Sequence, residues 1–311
     1  MKKIVVLGGG HGLSILLKGI KEIEDVDISA IVTVADDGGS TGRLRERYDI
    51  PAMGDIRNVL IALAGKKSLL GDLMAFRFEG ESEEDIEGHN LGNLILTAIT
   101  QMQGSFGLAI NTLSDLLEVK GHILPSTLER VTLYALMDDD TIVKGEANIP
   151  SFNHHISKVF YDHDVKADEK AVKAILDADV ILYGTGSLYT SILPNIIMPG
   201  MKEALAKTNA KRVYFANCMT QDNETFDYDL DRHVEALLYH GAPVDLIIRH
   251  NDVIPDEIRQ HYLESNSIEV VNGGSLDIEV QERNLLDFSS GLVRHDPAKI
   301  RVAVEKLLEE L

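Results

Sequence analysis

Short β-like runs alternate with helical periodicity at the start of the chain. Residues 4–7 are four consecutive apolar residues and residues 28–34 are rich in β-branched residues, so both predict buried strands. Between them, apolar residues at helical spacing over residues 13–23 predict an amphipathic helix. This order indicates a right-handed βαβ unit with parallel strands, in which ligands bind beyond the carboxyl ends of the strands.

Helical spacing dominates the middle of the chain. Helices are predicted at residues 55–65, 69–78, 90–102 and 106–119. The pattern changes near residue 120. Two β-like runs flank the triplet DDD and predict a hairpin, and a third short strand is predicted after it, at residues 131–137, 141–144 and 156–161.

Strands and helices alternate again in the second half of the chain, without an internal repeat. Strands are predicted at residues 180–183, 212–216, 244–248 and 268–271, and helices at 169–177, from 199, and at 230–239, 255–264 and 297–311. The chain is therefore predicted to be one α/β domain over residues 1–311. Its Rossmann-like, mainly parallel sheet is built from both chain ends, with helices on both faces. Residues 54–160 are predicted to be an inserted, mostly helical cap with a small β-hairpin.

The composition and net charge of the chain limit the classes of partner that it can bind. The chain has 311 residues, 44% hydrophobic and 26% charged, with a formal net charge of −20. Such a charge gives no general attraction for nucleic acid or an anionic membrane, so an anion must be held by local groups. No apolar run approaches the about 18 residues of a membrane span, and no signal peptide is recognisable, so a cytoplasmic protein is expected. The single cysteine, Cys218, is expected to be a small buried residue.

The first glycine loop, GGGHG at residues 8–12, lies between the first strand and the first helix. Backbone N–H groups and the helix dipole at such a place favour a phosphate. The loop departs from the dinucleotide fingerprint GxGxxG because Leu13 occupies the sixth position, and it lacks the Lys-Ser/Thr pair of a P-loop. It therefore predicts a phosphate or nucleotide ligand and argues against an NAD(P)-dependent oxidoreductase. A tight turn alone would need fewer glycines.

An acidic pair, Asp36 and Asp37, follows the second strand and runs into glycines and the hydroxyl residues Ser40 and Thr41. The aspartates could bind Mg²⁺, accept hydrogen bonds from a sugar, or act as a base. Equally, Asp-Gly is a common turn pair, and one aspartate could only cap the turn. The glycines and hydroxyls predict a turn that wraps an anion.

Four arginines follow these glycines: Arg43, Arg45, Arg47 and Arg57. Guanidinium groups pair with phosphate oxygens, so they could neutralise a diphosphate. The first and third share a face only if a helix begins here, and the acidic residues at 46, 49 and 55 allow purely structural ion pairs. Asp55 is predicted to be the N-cap of the next helix, which leaves Arg57 and Asn58 as the projecting candidates.

Three further segments carry candidate residues. The second glycine loop, GTGS at residues 184–187, opens GTGSLYTSILPN and predicts another anion site at the same sheet edge, the alternative being a capped helix. In EGHNLGN, His89 and Asn93 could face a ligand or be structural. Arg294 is a candidate, whereas Asp296 and Pro297 after it are typical of a helix start. The histidines near residues 154–163 are predicted to be solvated surface.

Seven motifs occur in order along nearly the whole chain. They are VVLGGGHGLS (residues 5–14), TVADDGGSTGRLR (33–45), GDIRN (54–58), GHNLGN (88–93), LPST (124–127), GSLYTSILPN (186–195) and NCMTQ (217–221). Together they resemble the YvcK-type gluconeogenesis factors, bacterial relatives of 2-phospho-L-lactate transferase. In two places the chain departs from that pattern: His11 replaces a small hydroxyl residue in the first loop, and Thr185 replaces a proline in the second.

The resemblance implies a Rossmann-like cytoplasmic protein with an inserted helical region, needed for cell shape and wall synthesis on gluconeogenic carbon sources. It implies a sensor that binds UDP-N-acetylglucosamine without established turnover, whereas the transferase branch uses Mg²⁺ and a nucleoside diphosphate-linked donor. By matching motif positions, the resemblance implies that the following residues belong to the ligand site: Gly9, Gly10 and Gly12 of the first loop, Asp36 and Asp37, Gly186, Ser187 and Leu188 of the second loop, and Asn217 and Arg294.

Two hypotheses follow. In the first, the protein is a regulator that needs no cofactor, and occupancy by a UDP-sugar or another nucleoside diphosphate ligand alters contact with an enzyme of wall-precursor synthesis. In the second, it is an Mg²⁺-dependent transferase with Asp36 or Asp37 on the metal. The absence of an evident nucleophile and base favours recognition over catalysis. Self-association into a homo-oligomer is a further hypothesis, and the motifs do not specify the nucleotide base.

Overall fold

The computed structural model describes residues 1–80, 86–152 and 154–311. In chain order its strands are β1 (Lys2–Gly8), β2 (Val26–Val32), β3 (His122–Pro125), β4 (Tyr134–Met137), β5 (Ile142–Lys144), β6 (Ile156–Phe160), β7 (Val180–Tyr183), β8 (Lys211–Phe215), β9 (Leu246–His250), β10 (Glu279–Arg283), β11 (Leu286–Asp287) and β12 (Arg294–His295). The α-helices are α1 (Gly10–Ile20), α2 (Gly39–Tyr48), α3 (Gly54–Leu63), α4 (Leu69–Ala75), α5 (Leu91–Gln103), α6 (Phe106–Leu116), α7 (Glu169–Asp177), α8 (Pro199–Lys207), α9 (Leu230–Tyr239), α10 (Asp256–Leu263) and α11 (Pro297–Glu309).

A seven-stranded parallel sheet organises the fold, in the order β10-β9-β8-β7-β1-β2-β3. Strand β1 pairs with β2 on one side and with β7 on the other, so the strand order reverses between β1 and β7. The central strands are apolar on both faces, as expected for a sheet covered by helices, and β7 is buried along its whole length. The predicted α/β, Rossmann-like fold is therefore confirmed.

Two strands of this sheet differ from the prediction. Residues 268–271 are not a strand and form only an isolated bridge, Met219 to Glu269. The strand at this end of the sheet is β10, whose polar sequence EVQER has no apolar run because its residues are exposed or only half-buried. Strand β3 was missed because it is four residues long and ends in proline. It lies within residues 54–160, so this region contributes a strand to the main sheet.

Two helices at the carboxyl ends of the strands also begin at residues that the sequence did not predict. Helix α1 starts at Gly10, inside the first glycine loop, so the loop's own N–H groups form the first turn. Helix α2 occupies the stretch predicted to be a glycine and hydroxyl turn. The sequence of α2 does not predict a helix because it contains two glycines and few apolar residues. The buried face of this helix nevertheless includes Thr41 and Leu44. The N-cap of α3 is Met53, so the prediction that Asp55 is the N-cap is wrong.

The hairpin predicted after residue 120 is confirmed. Strand β4 pairs antiparallel with β5 and, on its other edge, with β6. A short 3₁₀ segment, Glu146–Ser151, follows β5 and returns towards the main sheet. The second glycine loop leads into a π-helical turn, Leu188–Ile192, and a 3₁₀ turn, Leu193–Asn195, rather than into an α-helix.

Candidate functional site

The two glycine loops meet where the strand order reverses. The first follows β1 and the second follows β7, two adjacent strands. A Cβ atom built on Gly12 would lie 2.4 Å from the carbonyl oxygen of Thr185, so only glycine permits this approach. The crevice at this place is where open α/β sheets bind ligands.

Polar contacts fix the first loop. Asn195 is fully buried, and its Nδ2 donates to the carbonyl oxygen of Gly8 at 3.1 Å. Gly10 has φ of +62°, a left-handed conformation that favours glycine. A Cβ on Gly9 would lie 2.5 Å from Oδ2 of Asp55. The loop is therefore held from both sides in one shape.

A cavity of about 530 Å³, which we call the glycine-loop cleft, opens between the loops. It is lined by seven of the predicted residues: Gly9, Gly10, Gly12, Gly186, Ser187, Asn217 and Arg294. Nδ2 of Asn217 donates to the carbonyl oxygen of Gly186 at 3.0 Å, which ties the segment after β8 to the second loop. Leu188 differs because its side chain is fully buried in the core, so it does not line the cleft.

The cleft has a neutral to positive lining among the residues described. No carboxylate side chain lines it, Arg294 is exposed at its wall, and the positive end of the α1 dipole faces it. His11, which departs from the family pattern, is exposed at this wall. These features suit an anionic group such as a diphosphate.

Cys218 and His295 form a close pair in the same wall, with Sγ and Nε2 3.3 Å apart. Burial raises the pKa of the Cys218 thiol and lowers the pKa of His295 to about 4. Both groups are therefore neutral at physiological pH. The pair does not present the thiolate that a cysteine nucleophile requires, in agreement with the prediction that Cys218 is a small buried residue.

Asp36 and Asp37 lie outside the lining of the glycine-loop cleft. Oδ1 of Asp36 accepts a hydrogen bond from the Gly38 N–H at 2.9 Å, and Oδ1 of Asp37 accepts one from the Ala147 N–H at 2.9 Å. Burial raises the pKa of Asp36. The acidic pair thus stabilises the turn before α2 and links it to the 3₁₀ segment after β5.

The acidic pair does not belong to a cluster of three or more potential metal ligands in the described part of the chain. Within the described part of the chain, one group of three carboxylate or imidazole side chains has ligand atoms within 4.8 Å of one another, and it excludes both aspartates. That group is Asp138, Asp139 and His154, all exposed on the hairpin. His154 and His163 are exposed, in agreement with the predicted solvated surface, whereas His155 is half-buried and stacks on the ring of Phe226.

Asp55 is a residue that the sequence reasoning missed. Its carboxylate lies beside the first loop, where the Gly10 N–H favours the ionised form and so lowers the pKa. Burial, and then the charge of Asp36, raises the pKa of Asp55 to about 7. The signal was present in the motif GDIRN, but assigning this aspartate to a helix cap drew attention to Arg57 and Asn58 instead.

The remaining candidates bind one another. They form a hydrogen-bonded set, buried except for the half-buried Asn58 and His89, that we call the hydroxyl–arginine network: Ser40, Thr41, Arg57, Asn58, His89 and Asn93. Ser40 Oγ lies 2.9 Å from Nδ1 of His89, and Nη1 of Arg57 donates to Oδ1 of Asn93 at 2.9 Å. Nη2 of Arg57 donates to Oδ1 of Asn58 at 2.7 Å. These side chains join α2, α3 and α5.

A separate cavity of about 670 Å³ borders this network. Asp37, Ser40 and Arg43 line it, together with basic side chains that include Arg130 and Lys144. Nη2 of Arg43 donates to the carbonyl oxygen of Glu87 at 2.9 Å. The structure therefore distributes the predicted site residues over two cavities, rather than placing residues 34–58 in the wall of the glycine-loop cleft.

The parallel sheet and the cleft where its strand order reverses define a class: a doubly wound α/β protein with a glycine-lined crevice at its switch point. The sequence model of the family described as 2-phospho-L-lactate transferase CofD matches residues 4–286. The chain belongs to this family, and within it to the gluconeogenesis factors, as the motifs predicted.

Relatives and a solved structure cover almost the whole chain. A gluconeogenesis factor of Bacillus subtilis is 42% identical over 99% of this chain and 98% of the relative. A gluconeogenesis factor of Halalkalibacterium halodurans is 44% identical over 87% of this chain and 84% of the relative. A crystal structure from Bacillus halodurans has 40% identity and a TM-score of 0.93, over 98% of this chain and 99% of that one. Among the described residues, no helix combines the length and apolar character needed to cross a bilayer.

Proposed function

We propose that this protein is a cytoplasmic regulator that binds UDP-N-acetylglucosamine in the glycine-loop cleft. The observation that carries the proposal is the meeting of two glycine loops at the switch point of the sheet, above the first turn of α1. A diphosphate there would accept hydrogen bonds from backbone N–H groups and face the helix dipole. Arg294 would add a positive charge at the mouth of the cleft.

The same cleft has an apolar side that suits a nucleobase. Ile15, Met219, Tyr262 and Val293 line it beside the glycines. Binding sites for nucleotides combine such apolar contacts with a few polar groups that fix orientation. No cofactor is required for this mode of binding, and the neutral Cys218–His295 pair supports recognition over turnover.

The proposed biological role extends the names of the relatives. Relatives at about 40% identity over nearly the whole chain are called gluconeogenesis factors or putative gluconeogenesis factors. We propose that ligand occupancy reports the supply of wall precursors during gluconeogenic growth and alters contact with an enzyme of precursor synthesis. Cell shape and wall synthesis would then depend on this protein when carbon enters through gluconeogenesis.

Isothermal titration calorimetry tests the ligand. The protein is titrated with UDP-N-acetylglucosamine, UDP and GDP, each with and without Mg²⁺. Saturable binding of the UDP-sugar that does not need Mg²⁺ is expected. If none of the ligands gives a heat of binding at millimolar concentration, the proposal is wrong. If GDP binds more tightly than UDP, the nucleotide base of the ligand is guanine rather than uracil. A parallel thermal-shift measurement should show about 2.7 kcal/mol of stabilisation at 100 times the dissociation constant.

A transferase is the second candidate, favoured by the family match. An acceptor hydroxyl would attack the β-phosphorus of a nucleoside diphosphate-linked donor, the bond to the bridging oxygen would break, and the nucleoside monophosphate would leave. Asp36 or Asp37 would bind Mg²⁺ or accept the acceptor's proton, after releasing its present N–H partner. Mg²⁺-dependent release of a monophosphate, lost in Asp37→Asn, would support this activity. No release across a panel of donors and acceptors would exclude it.

A further inference from the structure

An acidic cavity of about 500 Å³ adjoins the glycine-loop cleft. The two cavities share four lining residues: Ser187, Thr220, Gln221 and Tyr262. Gln221 Nε2 donates to Ser187 Oγ at 2.7 Å across this shared wall. The glycine-loop cleft and the acidic cavity are therefore directly adjacent.

Glu224 has one carboxylate oxygen without a hydrogen-bond partner in the wall of the acidic cavity. It is 3% exposed, and its Oε1 accepts a hydrogen bond from Thr190 Oγ1 at 3.2 Å. Its Oε2 is buried and has no hydrogen-bond partner among the described residues. A buried polar atom without a partner is costly, by about 1–3 kcal/mol, and such atoms are usually paired with protein, water or a ligand.

Glu146 lines the same cavity from the 3₁₀ segment after β5. Burial, and then nearby carboxylates that include Glu224, raise the pKa of Glu146 to about 8, and burial raises that of Glu224 to about 7. Near neutral pH the two carboxyl groups therefore carry protons for part of the time. A protonated carboxyl group both donates and accepts, which matches the hydroxyl groups of a sugar.

Charge decides which part of a ligand belongs in each cavity. The described lining of the acidic cavity contains Glu146, Asp222 and Glu224 but no lysine or arginine, whereas the cleft contains Arg294 and no carboxylate. A diphosphate is repelled by the first lining and attracted by the second. A neutral, hydroxyl-rich group suits the acidic cavity, where Ser265 adds a further hydroxyl.

We infer that the acidic cavity is the sugar subsite, in which Glu224 and Glu146 hydrogen-bond the ring hydroxyls of a nucleotide-linked hexose. This inference rests on the proposed binding of a nucleotide sugar in the cleft. It makes Glu224 the residue that distinguishes a nucleotide sugar from the bare nucleotide.

Calorimetry with UDP and UDP-N-acetylglucosamine tests the subsite on the full chain. Glu224→Met keeps the length of the side chain but removes its polar atoms, so it should weaken UDP-sugar binding about tenfold and leave UDP binding within about twofold. Glu224→Gln keeps an acceptor for Thr190 and places a donor at the position of Oε2. It should therefore retain UDP-sugar affinity within about threefold of the wild type.

The outcomes separate the two proposals. If the wild type binds neither ligand, the proposed function fails. If the wild type binds the UDP-sugar and Glu224→Met binds it equally well, the subsite is wrong and the proposed function stands. If Glu224→Met does not fold by circular dichroism, Glu146→Met decides, with about a fivefold loss expected for the UDP-sugar alone and no loss overturning the subsite. Tight Mg²⁺ binding that Glu224→Gln abolishes would also overturn it, in favour of a cation site.

Discussion

The glycine-loop cleft and the hydroxyl–arginine network use the same residue types in opposite ways. Both contain hydroxyl, amide and arginine side chains, and both lie near the carboxyl ends of parallel strands. In the cleft the polar groups face an open cavity, and glycine brings two loops into contact. In the network Ser40, Asn93 and Arg57 are buried and hydrogen-bonded to one another.

This difference indicates that the cleft is suited to bind a ligand, whereas the network stabilises the fold. A cavity lined by glycine backbone and one exposed arginine offers donors to a ligand, because the N–H groups of the first turn of α1 have no acceptor within the helix. A network whose amide, hydroxyl and guanidinium groups satisfy one another instead fixes three helices. Substitutions in the cleft should therefore change binding more than stability, and substitutions in the network should do the reverse.

The largest effect on binding is expected at Gly12. Gly12→Val places side-chain atoms where even a Cβ would lie 2.4 Å from the Thr185 carbonyl oxygen, so the loops must separate. Affinity for UDP-N-acetylglucosamine should fall at least about 100-fold, or about 2.7 kcal/mol, by calorimetry. Gly71→Ala is the control, because its Cβ would lie no closer than 3.6 Å to Ser68 Oγ. Equal affinity in both variants would show that the ligand does not occupy the cleft.

The largest effect on stability is expected beside the network, at Arg45. Its guanidinium is 3% exposed and donates to the carbonyl oxygens of Ala35, Asp36 and Val131. Arg45→Leu leaves these acceptors unpaired, so the free energy of unfolding should fall by about 3 kcal/mol in urea denaturation.

Arg47 provides the matched control for that change, because it lies on the same helix and is exposed. Arg47→Leu should change stability by less than about 0.5 kcal/mol. Folded Arg45→Leu should bind the UDP-sugar as the wild type does. Weaker binding at unchanged stability would assign Arg45 to the ligand site instead.

Arg294 should show the opposite behaviour with a smaller magnitude. Its side chain is exposed at the wall of the cleft, so Arg294→Gln should leave stability within about 0.5 kcal/mol of the wild type. Loss of one charge-assisted contact to a phosphate should lower affinity about tenfold. The loss should shrink in high salt, and unchanged affinity at low salt would remove Arg294 from the site.

Local patterns explain what the sequence could predict. Helix α7, strand β7 and helix α9 occur at their predicted residues, because each has a strong apolar period bounded by clear ends. The two glycine loops also lie at one sheet edge as predicted, since parallel strands bring their carboxyl ends together.

Other features could not be predicted from the sequence because they depend on contacts between segments that are far apart in the chain. Ser40 meets His89 across 49 positions, and Asp55 meets Gly10 across two loops, so no local period records either contact. The edge strand β10 lacks an apolar run, and α2 lacks a strong apolar face. Residue types therefore identified the chemistry of the 34–58 stretch, whereas only packing revealed that most of it is already hydrogen-bonded.

The smallest expected effect tests Asp55, which joins the two regions. Its pKa rises from the ordinary value of 3.8 to about 7, first because of burial and then because of Asp36. The unfolded chain loses this proton near the ordinary value, while the folded protein keeps it until about pH 7. Raising the pH from about 4 to about 7 therefore lowers the free energy of unfolding through this group, and the effect is constant at higher pH.

Asp55→Asn removes that contribution and keeps an acceptor for the Gly10 N–H. Relative to the wild type, the variant should gain about 1 kcal/mol of stability between about pH 4 and pH 7, a value reduced for partial solvent exposure. Urea denaturation at several pH values measures the gain, with the exposed Asp115→Asn as control. If the free energy of unfolding of both variants changes with pH as that of the wild type does, Asp55 is ionised in the folded protein. Its carboxylate would then repel a phosphate at the first loop.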